Sequence, residues 1–465
     1  MSVAVIALVV WLVLIFLSVT EGIEKNWLQK LTSLNAPLRI TPTQAYYSSY
    51  YYLTDSISSA SYYQQKTIGE KALSFQSDPY NPDIDQELPP YWPSAERDSQ
   101  GLLIDPVKRT YDILDKLKNQ DGSLSYQNYE ISGAMLKIDL NRSPQSHTTL
   151  SQASYLLSFS DKNPFLQSLI LKKDNGVLSK KIPQERKVLL AKNFQDSGVV
   201  IGDQGFLSYE AATAGSVQEQ RLPIVVAGFY DPGIMPVGNK CILVDPKIAT
   251  MINAATHYQY MDKTESSGIQ VWFKNIKEAE KFKTDIQKAF DQNGISKYWK
   301  VTTYKEYDFA KDLLQQFQSD RYLFTLLGAI ILIVACCNII SMLVILVNDK
   351  RKEIGILQAM GASPKSIAFI FGGCGAAVGI LSAFIGVGAA LLTLQNLDTL
   401  VSILSFVQGH DAFNAAFFGK NLPNELSRQA LTMILIATPI ISFLAGLVPA
   451  IKACRLKPSE ILRAE

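Results

Sequence analysis

Four apolar runs, each long enough to span a bilayer, divide this chain and limit its fold more than any other feature. They are Val3 to Val19, Tyr322 to Val347, Ile367 to about Leu394, and Leu431 to Ile451. A membrane-spanning helix needs about 20 mainly apolar residues. Each central Leu, Ile, Val or Phe favours insertion by about 0.3–0.6 kcal/mol, and buried helices of water-soluble cores are rarely this long and this free of charge. The first run competes with a cleaved signal peptide. No Lys or Arg precedes it and no Ala-x-Ala-like site follows it, so an uncleaved span is expected.

Basic residues orient the spans. Lys350, Arg351, Lys352 and Lys365 lie between the second and third runs, and Lys452, Arg455, Lys457 and Arg463 follow the fourth. The longer segment between runs three and four holds only Lys420 and Arg428. Positive charge marks the cytoplasmic side, so the N-terminus is expected inside and the large middle region outside. The expected fold is an α-helical membrane protein with four transmembrane helices and a large α+β periplasmic domain inserted between helices 1 and 2. The expected boundaries are helix 1 over 1–20, the domain over 21–320, helix 2 over 321–347, a cytoplasmic turn over 348–366, helix 3 over 367–394, a periplasmic loop over 395–430, helix 4 over 431–451, and a basic tail over 452–465.

The spans carry packing signals. Gly375-x-x-x-Gly379 continues to Ala383, and a second row runs through Gly372, Ala376, Ser382 and Gly386. Small residues at this spacing let helix backbones approach closely; packing within one bundle and a contact between subunits both remain open. Asn338 in the second run reads as an interhelical hydrogen-bonding group rather than an ion site.

The middle region has the composition of a water-exposed domain. Ala36–Thr41, Glu130–Ile138, Val188–Ala191, Leu222–Phe229 and Ile269–Phe273 read as strands, and Asp245–Ala255 and Ile276–Phe290 as helices. Tyr304–Ser319 has helical spacing and no breaker before the second run, so a helix is expected to continue out of the membrane. Residues 43–64 are rich in Tyr and Ser, with Asp55 the one charge. Their rings serve either as an adhesive surface or, the expected role, as packing with paired hydroxyls. Asp78–Pro93 reads as a loop.

Much chemistry is excluded. A net charge of +2 with 18% charged residues gives no basic footprint for nucleic acid. Of five cysteines only Cys241 lies in the polar middle, so a disulfide scaffold is not expected. His147, His257 and His410 are scattered, with none of the spacings of a zinc site. Gly233–Lys240 departs from a phosphate-binding loop, because Asn239 stands where the Lys belongs. No catalytic residue, cofactor site or metal site is expected in this chain.

The informative stretch is Asn348–Ser366, NDKRKEIGILQAMGASPKS. It predicts a short helix over Asp349–Met360, a left-handed end at Gly361, and a second helix capped by Ser363 with Pro364 at its first position. A basic, apolar knob of this kind can lie on anionic lipid or seat in a groove of a cytosolic protein. The segment KRKEIGILQAMGASPKSI resembles the signature loop of the FtsX/MacB superfamily of ABC-transporter permeases, and the ending PAIKACRLKPSEILRAE resembles the closing motif of the same families. More narrowly, LSVTEGIEKNWLQKL, VLLAKNFQDSGVVIGDQGFLS, LPIVVAGFYDPG and LPNEL are similar to segments of LolC/LolE-type permeases of the lipoprotein-releasing system. Residues 42–120 match none of its segments.

The resemblance implies a non-catalytic subunit of the bacterial inner membrane that works with a second permease subunit, as homo- or heterodimer, and a cytosolic LolD-like ABC ATPase. That ATPase would hold ATP and Mg. Lipoproteins would be the substrate and a LolA-like periplasmic carrier the receiver. It assigns ATPase contact to Lys350, Arg351, Glu353, Ile354, Leu357, Met360 and Gly361, and a lipid path to spans one and two with Asn338 as a polar member. The alternatives are an FtsX/MacB-like permease for peptide or drug efflux or envelope-hydrolase control, and an adhesion or sensor protein without an ATPase.

Overall fold

The computed structural model describes residues 2–98, 100–140, 149–159, 167–173, 186–212, 215–232, 240–256, 263–350, 353–354, 356, 360–409 and 424–454. The chain divides into two compact units, Trp27–Asp312 and Met1–Asn26 with Leu313–Glu465.

The first unit is built on ten strands among the described residues: β1 (Leu38–Pro42), β2 (Ser125–Asp139), β3 (Thr149–Ser158), β4 (Ile170–Lys173), β5 (Lys187–Ala191), β6 (Gln204–Ala212), β7 (Val217–Tyr230), β8 (Cys241–Val244), β9 (Ser267–Trp272) and β10 (Trp299–Thr303). β10, β1, β9 and the first part of β2 form an antiparallel sheet. Beyond it the pairings close on themselves, from β2 through β3, β8, β5, β7 and β6 back to β2, with β4 added to β7. β2 serves both: residues 125–130 pair with β9 and residues 131–139 with β3. Alternation sets the faces; Leu38 and Ile40 of β1 are fully buried, while all four residues of β8 are buried.

Helix α1 (Ser2–Asn35) does not stop at the end of its apolar run near residue 20. No proline follows that run before Pro37, and Trp27, Leu31 and Leu34 recur at helical spacing and are buried. Trp272 Nε1 donates to Ser33 O at 3.2 Å beneath it. Helices α2 (Pro106–Gln120), α3 (Pro246–Thr256) and α4 (Ala279–Gln292) are the longer helices that pack with these strands, beside several short ones. The Tyr-rich segment packs: Tyr46, Tyr47, Tyr50, Tyr51 and Tyr52 are buried, with Tyr46 stacked on Trp299 at 5.4 Å. Hydroxyls of Tyr47, Tyr50 and Tyr52 donate to Lys263 O, Asp78 Oδ1 and Gln65 Oε1 at 2.8, 3.0 and 2.6 Å. Tyr62 and Tyr63 differ; both are exposed and both hold left-handed backbone, with φ of 54° and 57°.

The second unit holds the N-terminal part of α1, most of α5 (Asp308–Asp349), α6 (Pro364–Gln395), α7 (Leu397–Gln408) and α8 (Arg428–Cys454). Three described helices are long and apolar enough to cross a membrane, Val3–Asn35, Lys365–Gln395 and Arg428–Val448. The run Tyr322–Val347 falls inside α5, a single 42-residue helix. α7 occupies part of the segment read as a loop over 395–430; Leu397, Leu400, Ile403 and Val407 give it helical spacing. Ile333, Phe369, Phe384, Ile436 and Ile440 are exposed on the helices, surface that water would not tolerate at this extent. This is a membrane protein.

Within this bundle the small-residue row of α6 lies against α8. A Cβ on Gly379 would stand 2.6 Å from Ser442 Oγ and 3.2 Å from Thr438 O, and one on Gly375 would collide with the Ser442 carbonyl oxygen. Ala383 is buried. Gly386 faces α1 instead, where a Cβ would lie 2.7 Å from Ala7 O. At the end of the bundle α1 supplies polar ties. Arg321 donates to Glu24 at 3.1 Å, Lys25 pairs with Glu425 at 2.5 Å, Ser427 Oγ donates to Glu21, and Ser427 N donates to Ser18 Oγ at 3.1 Å.

Two outcomes follow from these contacts. Gly375→Val and Gly379→Val should each lower the thermal midpoint of the detergent-solubilised protein, by about 1–3 kcal/mol of overpacking. Gly373, which has open space around it, should accept Ala without loss. In the strand-bearing unit Glu130 is buried where β2 passes between its two pairings, and its Oε1 has no hydrogen-bond partner. Burial and then the charge of Glu70 push its carboxyl up from about 4.5 to about 8, against a hydrogen bond from Asn253. The folded protein therefore keeps a proton that the unfolded chain releases, and stability should fall as pH rises between those values. Glu130→Gln should remove that slope and gain roughly 2–4 kcal/mol on wild type above pH 8; unfolding curves that stay parallel across pH would refute the burial argument.

Candidate functional site

The site is the turn between α5 and α6. The apolar sequence of α5 ends at Val347, and Asn348–Lys352 is polar and charged. The Ile354 N–H donates to Lys350 O at 3.0 Å and the Met360 N–H to Ile356 O at 2.9 Å, so helical geometry recurs beyond α5. Gly361 then turns the chain with φ 98°, a conformation open to glycine and strained for residues with a Cβ. Ser363 caps α6: its Oγ accepts from Ser366 N at 3.2 Å, with Pro364 at the first helical position. The pattern of cap and proline is that anticipated from the sequence, because each is a local rule that needs no tertiary context.

The side chains sort into two faces. Ile354 is only 5% exposed and packs with Val347 and Ile367, with Ala362 and Phe371 against the cluster. It fastens the turn to the helices on either side. Glu353, Ile356, Met360 and Gly361 face outward, Met360 at 79% exposure. Lys350 Nζ pairs with Glu353 Oε1 at 2.5 Å, and that hydrogen bond, reinforced by the carboxylate's charge, raises the Lys350 amine above its ordinary value. Being solvent-exposed, the pair adds little stability; it leaves a dipolar, not purely cationic, start to the turn.

Of the residues singled out in the sequence, Lys350, Glu353, Met360 and Gly361 thus share an exposed stretch, and Ile354 belongs to the packed face. Arg351 and Leu357 lie outside the described residues. Ile356, exposed and one helical turn from Met360, joins the outward face; its i,i+4 spacing to Met360 is visible in the sequence. Gly375, Gly379 and Ala383 sit where α6 meets α8 and α1, away from this surface. Asn338 lies on α5, with its side chain outside the described residues. Among the described residues no group of His, Cys, Asp and Glu is arranged to hold a metal. What remains is a bent, apolar-tipped, charged projection between α5 and α6, able to bind a complementary groove.

Comparison with known proteins bears on the same region. Residues 325–458 match the family FtsX-like permease C-terminal. The lipoprotein-releasing system transmembrane protein LolE of Haemophilus influenzae is 33% identical over 130 residues, 28% of this chain and 31% of that protein. LolC of Xylella fastidiosa is 26% identical over 160 residues, 33% and 38% of the two chains. LolC of Neisseria meningitidis is 31% identical over 146 residues, 31% and 35%. The matches thus span about a third of the length of these relatives. Residues 325–458 therefore match an FtsX-like permease domain, and about a third of the chain is similar to the LolC and LolE membrane proteins.

Proposed function

We propose that this chain is the transmembrane permease subunit of an ATP-driven transporter that extracts lipoproteins from the bacterial inner membrane and passes them to a periplasmic carrier. One observation carries the reading: the turn between α5 and α6 buries Ile354 to brace itself and leaves Ile356 and Met360 exposed beside charged residues. That is the form of a coupling element pushed from outside. In this reading the turn is cytoplasmic, α1, α5, α6 and α8 are four spans, and the domain between α1 and α5 is periplasmic. A separate LolD-like ATPase holds ATP and Mg, a second permease subunit completes the pair, and a LolA-like carrier receives the cargo. This chain makes and breaks no covalent bond of the substrate.

Energy input is required on physical grounds. At about 0.8 kcal/mol for each buried CH₂, three acyl chains hold a lipoprotein in the bilayer by tens of kcal/mol. Extraction therefore needs work from the ATPase and an apolar receiver. α5, unbroken from Asp308 to Asp349, gives that work a stiff path along its own axis. Its residues and those of α1 are the surfaces proposed to border the lipid path, Asn338 among them.

A second reading keeps the mechanics and changes the cargo. The family match covers residues 325–458, the part that a peptide- or drug-exporting or hydrolase-controlling permease of the superfamily would share. Photo-crosslinking from the outer domain to trapped cargo separates the two readings, acylated proteins supporting the first. For the coupling role, Arg351→Glu with Leu357→Asp, and separately Ile356→Asp with Met360→Asp, should leave the chain inserted in the membrane. Lipoprotein-stimulated ATP hydrolysis by the co-purified complex should drop at least tenfold. Undiminished stimulation in both double variants would reject the assignment, as would mild-detergent preparations that contain no ATPase.

A further inference from the structure

The Tyr-rich segment encloses a pair of reactive groups shielded from water. Lys71, on the short helix Ile68–Leu73, sends its Nζ to within 2.6 Å of Asp55 Oδ2, and the two side chains are only 4% and 2% exposed. Nζ also donates to Tyr51 O at 2.9 Å and sits 4.1 Å from the centre of the Tyr51 ring. The other partners of Asp55 are hydrogen-bond donors: Ser61 Oγ to Oδ1 at 2.8 Å and Lys66 N to Oδ2 at 3.3 Å. A third carboxyl is close by. Asp105 caps α2, on which the Ile68–Leu73 helix packs. Its Oδ1 accepts from Val107 N and Lys108 N, and the carboxylate, buried at Oδ2, lies by the Tyr51 hydroxyl and within electrostatic reach of Lys71.

We propose that Lys71 and Asp55 condense within the folded domain to an amide bond, with Asp105 as the proton carrier. Away from water an ammonium and a carboxylate lose the solvation that keeps them ionised. Burial accordingly lowers the Lys71 amine from its usual value, with the carboxylates of Asp55 and Asp105 opposing. Return of one proton from Nζ to Asp55 leaves a neutral amine beside a neutral acid. The amine lone pair attacks Asp55 Cγ, forming the C–N bond. Ser61 O–H stabilises the charge developing on Oδ1. Asp105 Oδ2 takes the second proton from nitrogen and passes it to the departing hydroxyl, so the C–O bond breaks and one water leaves. No oxidation state changes and no co-reactant is needed. The remaining N–H keeps the hydrogen bond to Tyr51 O.

The bond closes a loop of chain from 55 to 71 that contains the left-handed Tyr62 and Tyr63. It supplies a covalent tie in a region with no cysteine. The chemistry is set by contacts inside the domain, so the inference stands whether or not the proposed cargo is correct.

The test is peptide mapping by mass spectrometry of the full-length protein, purified from membranes and then denatured. The fragment carrying both residues should weigh one water less than its sequence, with the loss placed between Asp55 and Lys71. Asp55→Asn should lose ammonia in place of water. Asp105→Asn should show the full sequence mass while its circular dichroism and protease resistance remain those of a folded domain. A wild-type fragment of full sequence mass would overturn the proposal, and condensation that persists in Asp105→Asn would overturn the role given to Asp105.

Discussion

Where α6 crosses α8 at Gly375 and Gly379, it lies directly on the backbone and the small side chain of Ser442. Gly375 and Gly379 lie on the Ser442 carbonyl and hydroxyl, and Ser442 itself is buried. In a medium where lipid tails are as apolar as Leu, helices gain nothing by hiding Leu from solvent, so close contact and hydrogen bonds must hold them. The same economy appears on α1, whose Trp11 Nε1 reaches Thr393 Oγ1 on α6 at 2.9 Å and whose Val10 fills the space left by Gly386. The turn after α5 inherits its shape from this framework. Ile354 can be buried because Val347 and Ile367 are held on either side of it, and Glu353, Ile356 and Met360 then face outward.

The strand-bearing domain solves a different problem, that of burying charge and hydroxyl groups inside a sheet assembly. Arg39 lies on the half-buried face of β1, opposite Leu38 and Ile40, where it meets the rings of Tyr129 and Tyr307 at 5.2 and 4.8 Å and donates to Asn35 O at 3.0 Å. Lys71 and Asp55 are shut in together. Glu130 is left with an orphaned oxygen, and burial, with the charge of Glu70, raises its carboxyl above the ordinary value. Each case follows one rule: a polar group removed from water either finds a partner or changes its protonation state.

What could be read from the sequence divides along the range of the forces involved. Spans, caps and turns rest on neighbours within a few residues, so the apolar runs, the Ser363–Pro364 start and the Gly361 end were legible. The sheet was legible only in its most apolar strands. β6 (Gln204–Ala212) and the first part of β7 carry Gln, Glu and Ser, and become strands because they pair with each other over nine consecutive positions. α2 carries a local signal as well, an Asp105–Pro106 start with Val107, Thr110, Ile113 and Leu114 on one face. At the candidate site the residue types were legible but not their facing; Ile354 and Ile356 are equally apolar, and only the positions of Val347 and Ile367 decide which is covered. No local rule brings Asp55, Lys71 and Asp105 together.

β2 belongs to both the open antiparallel sheet and the closed ring of strands. Its hydrogen bonds to β9 and to β3 run across the strand axis, one set along the first half of its length and the other along the second. A pull directed along β2 therefore loads each set all at once, in shear, and cannot peel them apart one bond at a time. The strand acts as a splice between two fabrics, and tension entering one is handed to the other before either gives way.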